Sequence, residues 1–216
     1  WRYLTLRIMH VMGGGDVGGA KTQIMNTVTG LSRTNDVMLI SFRAGPFADE
    51  ARERGIDVRV IERHNPFRAA RTMRDLVDEF KPDIIHCHGW MTALAPLYIK
   101  KVYKDEPSFR DAKVIFSLYE DDFKQPFHAD FSNKLLLKGI AKKDIAGLKE
   151  PIDYTALCKL AADFSDGIIQ QSEHVNEEVL NYARESGKPV LEYQSPENFA
   201  EACNDFYDKV WETEQK

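Results

Sequence analysis

Between residues 13 and 22 the chain reads "GGGDVGGAKT", a glycine-rich turn that ends on a lysine and a hydroxyl residue. Glycines in such a turn let main-chain N–H groups converge on an anion with no Cβ in the way. Three phosphate-handling patterns come close to it. Gly13, Gly15 and Gly18 spell G-x-G-x-x-G, the spacing of a dinucleotide-binding turn. That pattern wants a carboxylate after the second strand to hold a ribose; this sequence offers Arg43, which would suit NADP instead. Gly15 with Lys21 and Thr22 approaches the G-x-x-x-x-G-K-[ST] loop, but Ala20 stands where its second glycine belongs. The Cβ of Ala20 would intrude where amides must wrap a phosphate. A magnesium-binding acid is not evident either, since Asp121 and Asp122 lie beyond a strand interrupted by Ser117. The third pattern is a looser turn whose amides, at a helix start, receive a sugar-linked diphosphate. On that reading Gly15, Gly18 and Gly19 contact phosphate or sugar through their backbones, and Lys21 neutralises charge. A tight turn that binds nothing is the plain alternative.

Other candidates cluster at strand ends. "DIIHCH" sets His86 and His88 on one side of a strand, as two metal ligands would lie. The sequence suggests no third ligand beside them, so no metal is expected. His86 is expected to pack within the sheet, and His88 with Gly89 to face a cleft. Tyr119 follows the fifth strand as a candidate cleft residue, and the acidic cluster Glu120, Asp121 and Asp122 beside it could meet hydroxyls of a ligand, although a solvated loop is the preferred account of the three acids. Ser172 and Glu173 open the helix after "GIIQQ", where a simple N-cap also accounts for the serine. Phe123, Phe127 and Phe131 have the chemistry to stack on sugar rings, but anchoring their segment to the core is the preferred role.

The elements that position these residues alternate. Strands are expected at residues 6–12, 37–42, 57–61, 83–88, 113–118, 167–171 and 189–193, each joined to the next by at least one helical pattern except across a long mixed stretch. Such a rhythm implies parallel pairing, right-handed crossovers and a sheet covered on both faces, with ligands beyond the carboxyl ends of the strands. The expected fold class is α/β, a Rossmann-like parallel sheet with helices on both faces. An insertion at 119–152 breaks the rhythm, and a terminal helix is expected at 195–213, with Ser195 as N-cap and Pro196 at the first helical position.

Composition narrows the classes. The formal net charge of -5 disfavours a general nucleic-acid binder, and no apolar run nears the ~20 residues that span a bilayer. The three cysteines, Cys87, Cys158 and Cys203, suggest free thiols in a reducing compartment, and "WRYLTLRIM" lacks a secretory h-region, so a cytoplasmic address is expected.

The stretch "GGGDVGGAKTQIMNTVTGLS", with "DVMLISFRAGPFADEARERGIDVRVI" and "KPDIIHCHG", resembles the amino-terminal half of family-4 retaining glycosyltransferases over about residues 6–89. From His86 to about residue 211, segments such as "VIFSLYEDDFKQPF" and "GLKEPIDYTALCKLAADFSDGIIQQSEHV" resemble short bacterial relatives of family-5 glycogen/starch synthases. The two resemblances meet at residues 86–90. Both imply the GT-B architecture, of which these residues would form one amino-terminal Rossmann-like domain, while a second lobe binds most of the nucleotide sugar. The implied chemistry is retaining hexosyl transfer from ADP-glucose or UDP-glucose to an α-glucan or other saccharide, with no cofactor beyond that substrate. Two departures stand out. Glycogen synthases carry H-x-H-D-W where this chain has Gly89, and a histidine where it has Leu118 or Tyr119. Weak or absent turnover by the chain alone is the expectation, with a second Rossmann-type subunit or a homo-oligomer as possible partner. A non-catalytic saccharide-binding protein and an NADP-dependent oxidoreductase are the alternatives.

Overall fold

The computed structural model describes residues 5–13, 19–62, 66–128 and 130–213, excepting the side chains of 19, 20, 66 and 67. In chain order the elements begin β1 (Arg7–Met12), α1 (Gly19–Leu31), β2 (Asp36–Ser41), α2 (Pro46–Glu53), β3 (Asp57–Val60) and α3 (Pro66–Phe80). There follow β4 (Ile84–His88), α4 (Ala95–Lys101), α5 (Pro107–Arg110), β5 (Lys113–Leu118) and α6 (Phe131–Lys134). The chain continues with α7 (Tyr154–Asp163), β6 (Gly167–Gln170), α8 (Glu177–Glu185), β7 (Val190–Leu191) and α9 (Phe199–Glu212). Every strand pairs in parallel, in the order β3-β2-β1-β4-β5-β6-β7.

Apolar side chains on both strand faces demand two covering layers. One face, with Met9, Val11, Ile85, Cys87, Val114 and Phe116, is buried with Val77 of α3, Leu97 of α4, Leu157 of α7 and Leu180 of α8. The other carries Ile8, Ile84 and Ile115 against Phe206 and Val210 of α9, and Met12 against α1 and α2. Helices α1 and α9 pack so closely that a Cβ at Gly30 would sit 2.4 Å from that of Ala200.

At the amino ends of the strands, carboxylates substitute for missing ladder partners. Asp83 accepts from the Arg7 N–H at 2.7 Å and from its guanidinium at 3.0 and 3.3 Å. Asp166 accepts from the Val114 N–H and pairs with Lys100, both at 2.7 Å. Helix α3 stops where Lys81 takes a φ of 51°, just before Pro82. Asp153 caps α7 through the Ala156 N–H, and Asn176 caps α8 through that of Val179.

Residues 119–152 pack rather than protrude. Leu135, Ile140, Ile145, Leu148 and Ile152 all enter the larger core cluster, and Lys101 reaches Asp144 at 2.8 Å. The last helix begins at Phe199 instead of the expected 195, because residues 196–198 form a turn closed by the Asn198 N–H on the Ser195 carbonyl. Among the described residues no helix is long and apolar enough to cross a membrane.

Candidate functional site

The strand order reverses direction between β1 and β4, and the crevice at such a switch point opens beyond their carboxyl ends. Three features meet there. Gly13 follows β1, and a Cβ there would lie 2.6 Å from that of Met91. Gly89 follows β4, and its φ of 71° and ψ of 174° favour glycine. Helix α1 starts at Gly19, so its first amides lie at the same edge of the sheet. Gly15 and Gly18 lie outside the described residues.

Asp121 sits directly over Gly89. A Cβ at position 89 would lie 2.8 Å from its Oδ2. Tyr154 donates its hydroxyl to Oδ1 at 3.0 Å, and the Trp90 N–H supports the same carboxylate. Burial raises the Asp121 pKa to about 6, outweighing these hydrogen bonds. A carboxyl group near neutrality at a switch-point crevice can accept from a sugar hydroxyl or hold a proton. Glu120 is exposed.

Beside it the rings of Trp90, Phe127 and Tyr154 each meet Phe123, and Phe131 stacks on Phe127. Centroid separations run from 4.2 Å for Phe127–Phe131 to 5.9 Å for Phe123–Tyr154. All three phenylalanines pack onto the larger core cluster, so they anchor the insertion, as preferred from the sequence.

Beneath the crevice, on the α1/α9 face, lies a polar seam. His10 Nδ1 and His88 Nε2 are 2.8 Å apart, and His88 Nδ1 lies 2.6 Å from the Tyr119 hydroxyl. His86 bonds the Tyr207 hydroxyl at 2.7 Å and the Ser117 hydroxyl at 2.5 Å. Ser117 continues to Gln171, and Gln171 to Thr27 of α1, each at 3.4 Å. The His10–His88 bond needs one N–H and one lone pair, so the pair cannot both carry two protons. Burial lowers the His10 pKa to about 3 and puts those of His86 and His88 well below the usual histidine range, with mutual repulsion adding to the effect in the latter two.

His10 supplies the third imidazole that the sequence did not suggest: ligand atoms of the three rings lie within 4.8 Å of one another. A tetrahedral zinc would hold three such nitrogens about 3.4 Å apart, each with a free lone pair. Here every ring nitrogen is already bonded except Nε2 of His10. The seam is therefore a hydrogen-bonded packing layer rather than an open ligand set.

Several expectations need correction. His88 is 4% exposed and Tyr119 3%, so neither side chain faces an open cleft. Strand alternation turns both toward α1 and α9, where each satisfies the other. Lys21 has its amine 3.8 Å from Glu50 and over the Phe47 ring, so it is engaged with α2. Ser172 and Glu173 do not open α8; they form a bend whose carbonyls accept from the Gln170 side chain at 3.1 and 2.9 Å, and Asn176 is the cap. Arg43 is exposed after β2. Sequence reasoning missed His10, Tyr154 and Tyr207. A histidine inside the apolar run "RIMHVM" was the available signal for the first.

A match to the starch synthase catalytic domain family covers residues 43–192, running through the point where the two resemblances meet. The glycogen synthase of Desulfitobacterium hafniense is 30% identical over 115 residues, which is 52% of this chain and 22% of that protein. The glycogen synthase of Pelodictyon phaeoclathratiforme is 52% identical over 40 residues, 18% of this chain and 8% of that protein. This chain thus spans less than a quarter of those relatives' lengths. Among solved structures, the catalytic domain of Arabidopsis thaliana starch synthase IV, bound to ADP and acarbose, has a TM-score of 0.61 and 15% identity. That alignment covers 91% of this chain and 53% of that one. Anabaena Alr3699/HepE in complex with UDP gives a TM-score of 0.50 at 13% identity over 86% of this chain and 43% of that one. With the family match spanning 150 of 216 residues (43 to 192 inclusive), the chain belongs to the starch synthase catalytic domain family of glycosyltransferases.

Proposed function

We propose that these residues form the acceptor-side domain of a retaining hexosyltransferase that elongates an α-glucan from ADP-glucose or UDP-glucose. The observation that carries the reading is the Asp121–Gly89 pair at the β1/β4 switch point. It is a half-buried carboxyl with a pKa of about 6, held by Tyr154 and the Trp90 N–H over the space in front of Gly89. In this scheme Asp121 orients an acceptor hydroxyl. The amides at the start of α1 stabilise the departing nucleoside diphosphate electrostatically. Gly15, Gly18 and Gly19 are the backbone contacts proposed for that diphosphate, and cytoplasmic glucan metabolism is the proposed setting.

The alignment with the starch synthase IV catalytic domain covers 53% of that chain, so we expect these residues alone to bind saccharide better than they transfer it. A second Rossmann-type lobe, in the same polypeptide or a partner, would supply most of the donor site. Calorimetric titration with ADP-glucose, UDP-glucose and maltooligosaccharides tests this, with Gly18→Val, Gly19→Val and Asp121→Asn as controls. Rapid glucan elongation by the isolated 216 residues, or saccharide affinity indifferent to Asp121→Asn, would overturn the assignment.

A second reading, a non-catalytic saccharide-binding domain, draws support from Tyr119. Its phenol is turned into the core and its pKa is pushed up by burial, so it offers no proton exchange at the crevice. Saccharide retention without turnover, even when a donor-binding lobe is added, would favour that reading. Family membership makes either one a better account than NADP chemistry at Arg43.

A further inference from the structure

The opposite end of the sheet carries a cavity of about 260 Å³, between the amino ends of β1 and β4, the start of α5 and the last turn of α9. Its size lies just below the ~300 Å³ at which pockets for drug-sized ligands begin. Apolar surface comes from the Trp211 indole with Pro82 and Pro107. Trp211 is half-buried, seated on the cluster of Leu6, Ile8 and Val210. The charged lining is balanced: Arg7 and Lys81 against Asp83 and Asp111. Arg7 and Asp83 already hold each other through the guanidinium at 3.0 and 3.3 Å, and Asp111 is held by Arg110 at 2.8 Å. The Arg7–Asp83 pair is thus oriented before any ligand arrives, and the lining charges largely cancel.

That combination selects against a nucleotide or other polyanion, which needs surplus positive charge. It suits a neutral ring bearing many hydroxyls. The carbon face of a pyranose packs on indole and proline, while pre-set carboxylates accept from its hydroxyls and the cationic side chains and Ser108 donate to them. We propose that this groove is a saccharide subsite that takes one hexose unit of a neutral glucan, at the far end of the sheet from the Asp121 crevice. The choice of an α-glucan among neutral sugars rests on the function proposed above; the groove itself does not. Two anchoring points at opposite ends of one domain would hold a long glucan near the crevice by raising its effective concentration.

The test is a maltotriose titration of the 216-residue protein followed through indole N–H resonances, each assigned by a Trp→Phe variant. The Trp211 indole should shift saturably, with a dissociation constant of about 1 mM. Ser108→Arg, which fills the groove without touching the core, should abolish that shift, and Asp121→Asn should leave it intact. A circular-dichroism melt confirms that each variant is folded. Movement of the Trp90 indole alone would leave the crevice reading standing and overturn the groove. Movement of Trp211 alone would do the reverse. A Trp211 shift that survives Ser108→Arg, or no shift at all up to about 50 mM sugar, also overturns the proposal.

Discussion

The Oδ2 atom of Asp121 occupies the space into which any side chain at position 89 would have to grow, 2.8 Å from the Cβ that Gly89 lacks. With a φ of 71° at the same residue, glycine is required there twice, by backbone conformation and by volume. Gly89→Ala should therefore lower stability by about 1–3 kcal/mol, readable as a fall in denaturation midpoint. Only the volume part is relieved when Asp121 is also cut to alanine. A double-mutant cycle should show coupling of about 0.5–2 kcal/mol, and strict additivity would contradict the contact.

The Tyr154 hydroxyl is one of the hydrogen bonds that hold the Asp121 pKa down against burial. Tyr154→Phe removes it without opening a cavity. The Asp121 carboxyl, followed by side-chain carbon NMR, should then titrate above the value of about 6. A downward move would mean that the phenol instead stabilises the protonated form.

Acid should undo the seam. In the fold His10, His86 and His88 are neutral with lowered pKa values, whereas in the unfolded chain each gains a proton near pH 6.5. The unfolded state thus binds more protons below that pH. The contribution of these histidines is complete above pH 6.5 and is lost as pH falls toward their folded values, about 3 for His10. Asp121 acts with opposite sign, since its folded pKa of about 6 lies above the unfolded one. Between pH 4 and 6 the three histidines outnumber the one opposing carboxyl, so stability should fall as pH falls. Urea midpoints measured across that range check it. His10→Phe should reduce the slope by about one proton's worth, roughly 1.4 kcal/mol per pH unit.

Helices α1 and α9 can be separated by one methyl group. Gly30→Ala places a Cβ 2.4 Å from that of Ala200, which the two helix backbones cannot absorb without moving apart. A loss of about 1–3 kcal/mol is expected. Ala200→Gly by itself should cost about 1 kcal/mol through helix propensity. Combined with Gly30→Ala, it should recover part of the loss; no recovery would place the clash elsewhere.

Strand positions and parallel topology were legible in the sequence because apolar runs alternate with helical periodicity, and each of the seven expected strands is present within a few residues. Helix starts were less so. Ser195-Pro196 and Ser172 have good capping chemistry, yet a turn and a bend come first, and Asn176, a less conspicuous cap, is the one used. For the site, alternation showed that His86 and His88 share a side of β4 but not which side is sealed. That depends on Tyr207, 121 residues from His86, and on α9 closing over the seam. Asp121 was visible as an acid at a strand end. Its partner Tyr154, 33 residues further on, was not.

The sheet is bounded by short strands, four residues in β3 and two in β7. So few unpaired main-chain groups give a visiting strand little to zip onto, and proline at position 189 and lysine at 188 flank the β7 rim. Lateral growth of the sheet, whether into fibrils or into a shared sheet with another molecule, is thereby discouraged.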